Sequence, residues 1–131
     1  MIGLDTNVIV RYLTHDDPAQ TRSAVKLLDS LSKESPGFVS LIVLAELVWV
    51  LRSVYDFGKA EVTSVLEILL QSDSLVIENR DVAWQAFLKF KSGVAGFSDY
   101  LIERSGGAAG CLHTVTFDQV AAKSSGMQLL R

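Results

Sequence analysis

Short apolar runs alternate with longer segments of helical periodicity along the chain, and this alternation constrains the fold more than any other feature. Met1 to Leu4 ends at Asp5 and reads as a buried strand. Thr6 to Leu13 follows as a short helix with Val8, Ile9, Tyr12 and Leu13 on one side. In His15-Asp16-Asp17-Pro18, Asp17 is placed to cap a helix and Pro18 to occupy its first position. That helix is expected to reach about Glu34, with Ala24, Val25, Leu27, Leu28 and Leu31 at helical spacing. Ser35-Pro36-Gly37 breaks it, and Phe38-Val39 is a second strand. Ser40 can cap a helix from Leu41 to about Tyr55. Periodicity alone would allow a strand over Leu41–Leu51, but length and cap favour a buried helix. Lys59 to Gln71 reads as a helix, Leu75 to Ile77 as a strand, and Arg80 to Lys91 as a helix with Val82, Ala83, Ala86, Phe87 and Phe90 inward. Beyond the flexible Gly93–Gly96, Ser98 is expected to cap a helix to about Ala109. A strand at Leu112–Val115, a short helix at Phe117–Lys123 and a last strand at Met127–Leu130 complete the chain. The alternation predicts an α/β domain of three layers, a parallel sheet of four to five strands with helices on both faces.

At 131 residues the chain suits one domain, 1–131. Hydrophobic residues make up 49%, enough for a real core, which excludes intrinsic disorder. The single cysteine, Cys111, excludes an intrachain disulfide, fits a reducing compartment and reads as a small core residue. Asp5 and Arg11 interrupt any apolar leader, and Leu41–Leu51 is too short to span a bilayer, so a cytoplasmic protein with no membrane partner is expected. The formal net charge is −3 and the basic residues are scattered, so no basic stripe announces nucleic-acid binding. If the protein handles RNA, something other than net charge must meet the phosphates, and a bound metal would do so.

Four acids stand apart from the ordinary surface charge. Asp5 ends the first strand, Asp99 starts a helix, and Asp118 follows the fourth strand, so all three are expected at one rim of the sheet. Each also has a plain structural role available, as a helix cap or a first-turn acid favoured by the helix dipole. Glu46 is the oddest of the four. Its helical neighbours Ile42, Val43, Trp49 and Val50 are all apolar, which predicts a carboxylate unable to reach water easily unless Arg11 or Arg52 pairs with it. Carboxylates converging at one rim repel each other unless a cation joins them, and oxygen ligands favour Mg2+ or Mn2+. Zinc is disfavoured, because His15 and His113 are isolated and His113 lies in an apolar run as a core or edge residue.

Leu4-Asp5-Thr6-Asn7-Val8 resembles the opening motif of PIN domains, and Ala45-Glu46-Leu47-Val48-Trp49-Val50-Leu51 their second. Phe97-Ser98-Asp99-Tyr100-Leu101-Ile102 is similar to the third and Thr114-Val115-Thr116-Phe117-Asp118 to the fourth. The compact length further resembles VapC-type toxins. The resemblance implies a Mg2+-dependent endoribonuclease in which Mn2+ can substitute. It implies Asp5 and Asp99 as the main metal ligands, with Glu46 and Asp118 completing the catalytic site partly through water. Thr6, Asn7 and Thr116 would support them by hydrogen bonds, and Glu103, one turn beyond Asp99, has no assigned role. It also implies an RNA substrate, a cognate VapB-type antitoxin and a homodimer. Two rivals remain at this point. A phosphatase using Asp5 as nucleophile would need a second aspartate where Asn7 stands. A non-catalytic RNA- or protein-binding domain of the same fold would be expected to lack at least one of the four acids.

Overall fold

The computed structural model describes all 131 residues, Met1–Arg131. They fall into two compact units, Met1–Glu78 and Asn79–Arg131.

The first unit contains β1 (Ile2–Gly3), α1 (Thr6–Thr14), α2 (Pro18–Ser30), β2 (Gly37–Val39), α3 (Leu41–Ser53), α4 (Lys59–Gln71) and β3 (Leu75–Ile77). Its strands lie parallel in the order β1-β2-β3, with Ile2 opposite Gly37 and Phe38 opposite Val76. Backbone bonds just beyond the strands extend this ladder, from Leu4 N to Phe38 O and from Glu78 N to Val39 O, each 2.9 Å. The helix starts are fixed locally. Asp17 Oδ1 accepts the Gln20 N–H at 3.0 Å with Pro18 at the first position, and Ser40 Oγ accepts the Val43 N–H at 3.2 Å. Leu44, Leu47 and Leu51 of α3 are fully buried, as are Val62 and Leu66 of α4 and Val39 of β2. Burying a leucine of this kind is worth about 1.5–3 kcal/mol.

The second unit contains α5 (Arg80–Ser92), α6 (Phe97–Ala108), β4 (Val115–Thr116), α7 (Gln119–Ser125) and β5 (Gln128–Leu129). β4 and β5 are parallel, with Val115 opposite Gln128. Val82, Ala83, Ala86, Phe87 and Phe90 are buried as expected. Phe90 meets Phe97 edge to face at 5.7 Å and so joins α5 to α6. Tyr100 is buried, and its hydroxyl lies 2.6 Å from Ser124 Oγ on α7 while accepting the Ala95 N–H at 3.3 Å. Gly93 is required beside it: a Cβ there would sit 1.9 Å from the Tyr100 hydroxyl oxygen.

The expected α/β class holds, with seven helices and five parallel strands. The strands are hydrogen-bonded as a set of three and a set of two. Several local expectations are corrected. α2 ends at Ser30 rather than Glu34, because Leu31 turns extended and the Ser32 N–H bonds to Ser35 O. α3 stops at Ser53, and Asp56 beyond it is left-handed at φ 58°. α6 is capped at Gly96 instead of Ser98, since Asp99 reaches back to the Gly96 N–H. The fourth strand shrinks to Val115–Thr116, so Leu112 and His113 are exposed loop residues. Cys111 is also exposed, in the loop after Gly110 at φ 93°. No helix is long and apolar enough to cross a membrane.

Candidate active site

In the first unit the chain leaves β1 and enters α1 at Asp5, an exposed residue between buried Leu4 and buried Thr6. Asp5 Oδ1 accepts the Thr6 N–H at 2.7 Å, so the expected capping role is real. It engages one oxygen of a group with about four acceptor sites. Asp5 lines a pocket of about 400 Å³ together with Thr6, Asn7, Arg11, Glu46 and Tyr55. Asp5 and Glu46, 41 residues apart in sequence, are thus brought to one cavity.

Glu46 differs from expectation in its surroundings. It is exposed, and no hydrogen bond or ion pair holds it. Two of the four apolar neighbours that would have enclosed it point outward themselves, Ile42 being 71% and Trp49 65% exposed, while Val43 is buried and Val50 half-buried. Its carboxylate therefore reaches solvent at the pocket mouth without a burial penalty.

Thr6 Oγ1 is the one buried side-chain polar atom with no hydrogen-bond partner. An unmade bond of this kind costs about 1–3 kcal/mol. It lies one residue from Asp5, in the same pocket as Glu46. Asn7, the next residue, is exposed and lines the cavity too.

Arg11 is the only cationic residue lining this pocket, yet its ion pair is with Asp16, 3.3 Å from Nη1. Nη1 also donates to the Tyr55 hydroxyl at 3.2 Å, and Nε donates to Gln20 Oε1 at 2.7 Å. The Tyr55 hydroxyl in turn donates to Asp16 Oδ2 at 2.5 Å. This hydroxyl holds the Asp16 carboxyl below the usual aspartate range, helped by the Thr14 hydroxyl and the Arg11 charge. Sequence reasoning offered Arg11 as a partner for Glu46 and missed this network. Tyr55 lies 39 residues beyond Asp16, a pairing that local spacing cannot reveal.

In the second unit Asp99 and Asp118 each start a helix. Asp99 Oδ2 accepts the Gly96 N–H at 3.0 Å, and Asp118 Oδ1 accepts the Ala121 N–H at 3.0 Å. Thr116 Oγ1 accepts the Asp118 N–H at 3.0 Å and so fixes the turn that presents that carboxylate. Glu103 has a different task. Both its oxygens accept from Arg104, at 2.6 and 2.7 Å, and Lys89 Nζ lies 3.5 Å away. The Arg104 guanidinium, with Lys89, holds the Glu103 carboxyl below the usual glutamate range, and Glu103 raises Arg104 in return. Within neither unit do three or more His, Cys, Asp or Glu side chains gather closely enough to hold a metal ion.

No curated protein matches the chain. The profile of the PIN domain family matches residues 2–123, and PIN domains are generally nucleases that use divalent metal ions. The match spans most of the chain and runs through Asp5, Glu46, Asp99 and Asp118, so the chain belongs to the PIN domain family.

Proposed function

We propose that the protein is a Mg2+-dependent endoribonuclease, the toxin of a VapBC-type toxin–antitoxin pair, with Asp5, Glu46, Asp99 and Asp118 as its catalytic acids. The observation that carries the reading is the pocket shared by Asp5 and Glu46, one residue from a buried hydroxyl with no partner, in a chain of a nuclease family. The family match supports Asp99 and Asp118 as the further acids. It also spans both compact units, which supports reading 1–131 as one domain.

The donor set fits a hard divalent ion. Asp5 and Glu46 offer carboxylate oxygens with no ion pair to satisfy them, and no sulfur or imidazole lines the pocket. Asp5 and Asp99 would be the main ligands, with Glu46 and Asp118 binding partly through water. Held by these residues, a divalent ion would supply Lewis acidity to a bound water at neutral pH and positive charge toward the phosphodiester. The chain's own residues prepare that step. Backbone N–H groups fix the Asp5, Asp99 and Asp118 carboxylates in orientation, each through one oxygen: those of Thr6 in α1 and Ala121 in α7, and that of Gly96, the N-cap of α6. The Thr6 hydroxyl, buried and without a partner, would hold a water beside Asp5, and the Thr116 hydroxyl, which accepts the Asp118 N–H, would steady Asp118.

Exposed Ile42 and Trp49 on α3, with Val54 just past its end, support a protein partner there, either a VapB-type antitoxin or a second copy in a homodimer acting in the cytoplasm. The deciding experiment combines a thermal melt with an RNA cleavage assay. Mg2+ or Mn2+ should raise the melting temperature, and EDTA should abolish cleavage. A melt unmoved by Mn2+, with RNA cut equally well in EDTA, refutes the metal mechanism.

A further inference from the structure

We propose that Arg11 is a phosphate-binding residue for single-stranded RNA, presented at the mouth of the acidic pocket by Asp16, Gln20 and Tyr55; this rests on the ribonuclease reading. An arginine beside two unpaired carboxylates would ordinarily neutralise them. Here it is drawn away: its ion pair goes to Asp16, and Gln20 and Tyr55 bind it as well. These bonds use Nε and both Nη1 donors. A guanidinium has five donors, so the two on Nη2 remain for a ligand. The fork geometry of the group suits a phosphodiester, whose two free oxygens accept side by side.

The position agrees with this role. Arg11 and Asn7 line both the Asp5–Glu46 pocket and a neighbouring groove of about 400 Å³ between α1 and α2. A strand whose scissile phosphate lay near Asp5 would pass Arg11 on its way into that groove, where Gln20 and Ser23 offer polar contacts. The chain carries a net charge of −3, so one fixed cation at this point supplies attraction that the overall field does not. Clamping also lowers the entropy lost when the side chain meets its ligand.

The test reads the salt dependence of binding to a labelled single-stranded oligoribonucleotide in EDTA, beside cleavage of the same RNA with Mg2+. Each phosphate contact on a single strand contributes about 0.7 to the slope of log affinity against log salt, so Arg11→Gln should lower the slope by about 0.7. Its affinity at low salt should fall about tenfold, as for loss of a charged hydrogen bond. Arg11→Lys should restore the slope but not the full cleavage rate, since it returns the charge without the fork. Tyr55→Phe should leave the slope intact and raise KM several-fold, because Arg11 stays cationic but loses one of its three clamping partners, and Asp16 the hydroxyl that anchors it. A folded Arg11→Gln with the wild-type slope overturns the proposal. If that variant does not fold, an unchanged KM in Tyr55→Phe overturns it. Wild-type protein that cuts RNA with Mg2+ yet shows no salt-dependent binding overturns this inference alone. Wild-type protein that neither binds nor cuts removes the ribonuclease reading and this inference together.

Discussion

Replacing Thr6 by valine should make the metal-free protein more stable and less active. Thr6 is buried, at 6% exposure, and its Oγ1 has no partner. Valine has nearly the same shape and keeps the β-branch at the start of α1, so packing around Leu4, Ile9 and Val10 is little disturbed. The backbone N–H of residue 6 still donates to Asp5 Oδ1, so the cap survives. What changes is removal of an unsatisfied hydroxyl, which costs about 1–3 kcal/mol where it stands. A gain of about 1–2 kcal/mol is expected after allowing for relaxation around the site, and for a domain of this size each kcal/mol moves Tm by about 4 °C. The assay is urea unfolding and a thermal melt in EDTA, repeated with Mn2+, with RNA cleavage measured alongside. In Mn2+ the advantage should shrink, because the wild-type hydroxyl then has a water to bind. A valine variant less stable than wild type in EDTA would show that the hydroxyl is already satisfied without metal and would refute the reasoning.

Other substitutions separate folding from chemistry. Asp5→Asn keeps a good N-cap and should fold with wild-type or greater stability, while cleavage falls to background; retained cleavage would remove Asp5 from the ligand set. Asp118→Asn should likewise be stable and inactive, whereas Asp118→Ala should also lose about 1 kcal/mol in a urea titration as the α7 cap disappears. Glu103 has a lowered pKa in the fold, so its pairing with Arg104 stabilises at neutral pH. That contribution fades as pH falls below the ordinary glutamate value of about 4.3 toward the lower folded value. The stability gap between wild type and Glu103→Gln should therefore narrow from pH 7 to pH 3, and a constant gap would contradict it. Gly93→Ala should cost about 3 kcal/mol, the upper end for overpacking, because the Tyr100 hydroxyl and the Lys89 carbonyl both block a Cβ; a melt within a degree of wild type would refute this.

Much of the framework was legible because it is written in local signals. Asp17-Pro18 and Ser40 announce helix starts by side-chain chemistry alone, and α4 runs over Lys59–Gln71 as its periodicity predicts. The failures share a cause, which is that periodicity cannot say which apolar residues find a partner. On α3, Glu46 looked enclosed because its neighbours are apolar, yet Ile42 and Trp49 face outward with it. Around Cys111 and His113 an apolar run suggested a strand, but only Val115 and Thr116 pair with β5, Thr114 O accepts the Gln128 N–H at its edge, and Cys111, Leu112 and His113 stay exposed. The capping roles of Asp5 and Asp118 were foreseen, and the sequence could not say whether capping would use up those groups. The Arg11–Asp16–Tyr55 network depends on a contact that only the fold makes.

Asp5 and Glu46 meet the pocket on unequal terms. Asp5 is anchored by a helix N–H, so a ligand finds it already oriented. Glu46 projects from an exposed turn of α3 with nothing to restrain its rotamers. Ordering such a side chain costs up to about 2 kcal/mol of conformational entropy, so one arm of the site is preorganised and the other is recruited. A recruited arm can lengthen or shorten its reach without disturbing the helix beneath it, so under the proposed metal-dependent reading the site would accept ions of somewhat different radius. It also makes Glu46 the group whose motion should slow when an ion arrives, while Asp5, already held by its cap, should change little.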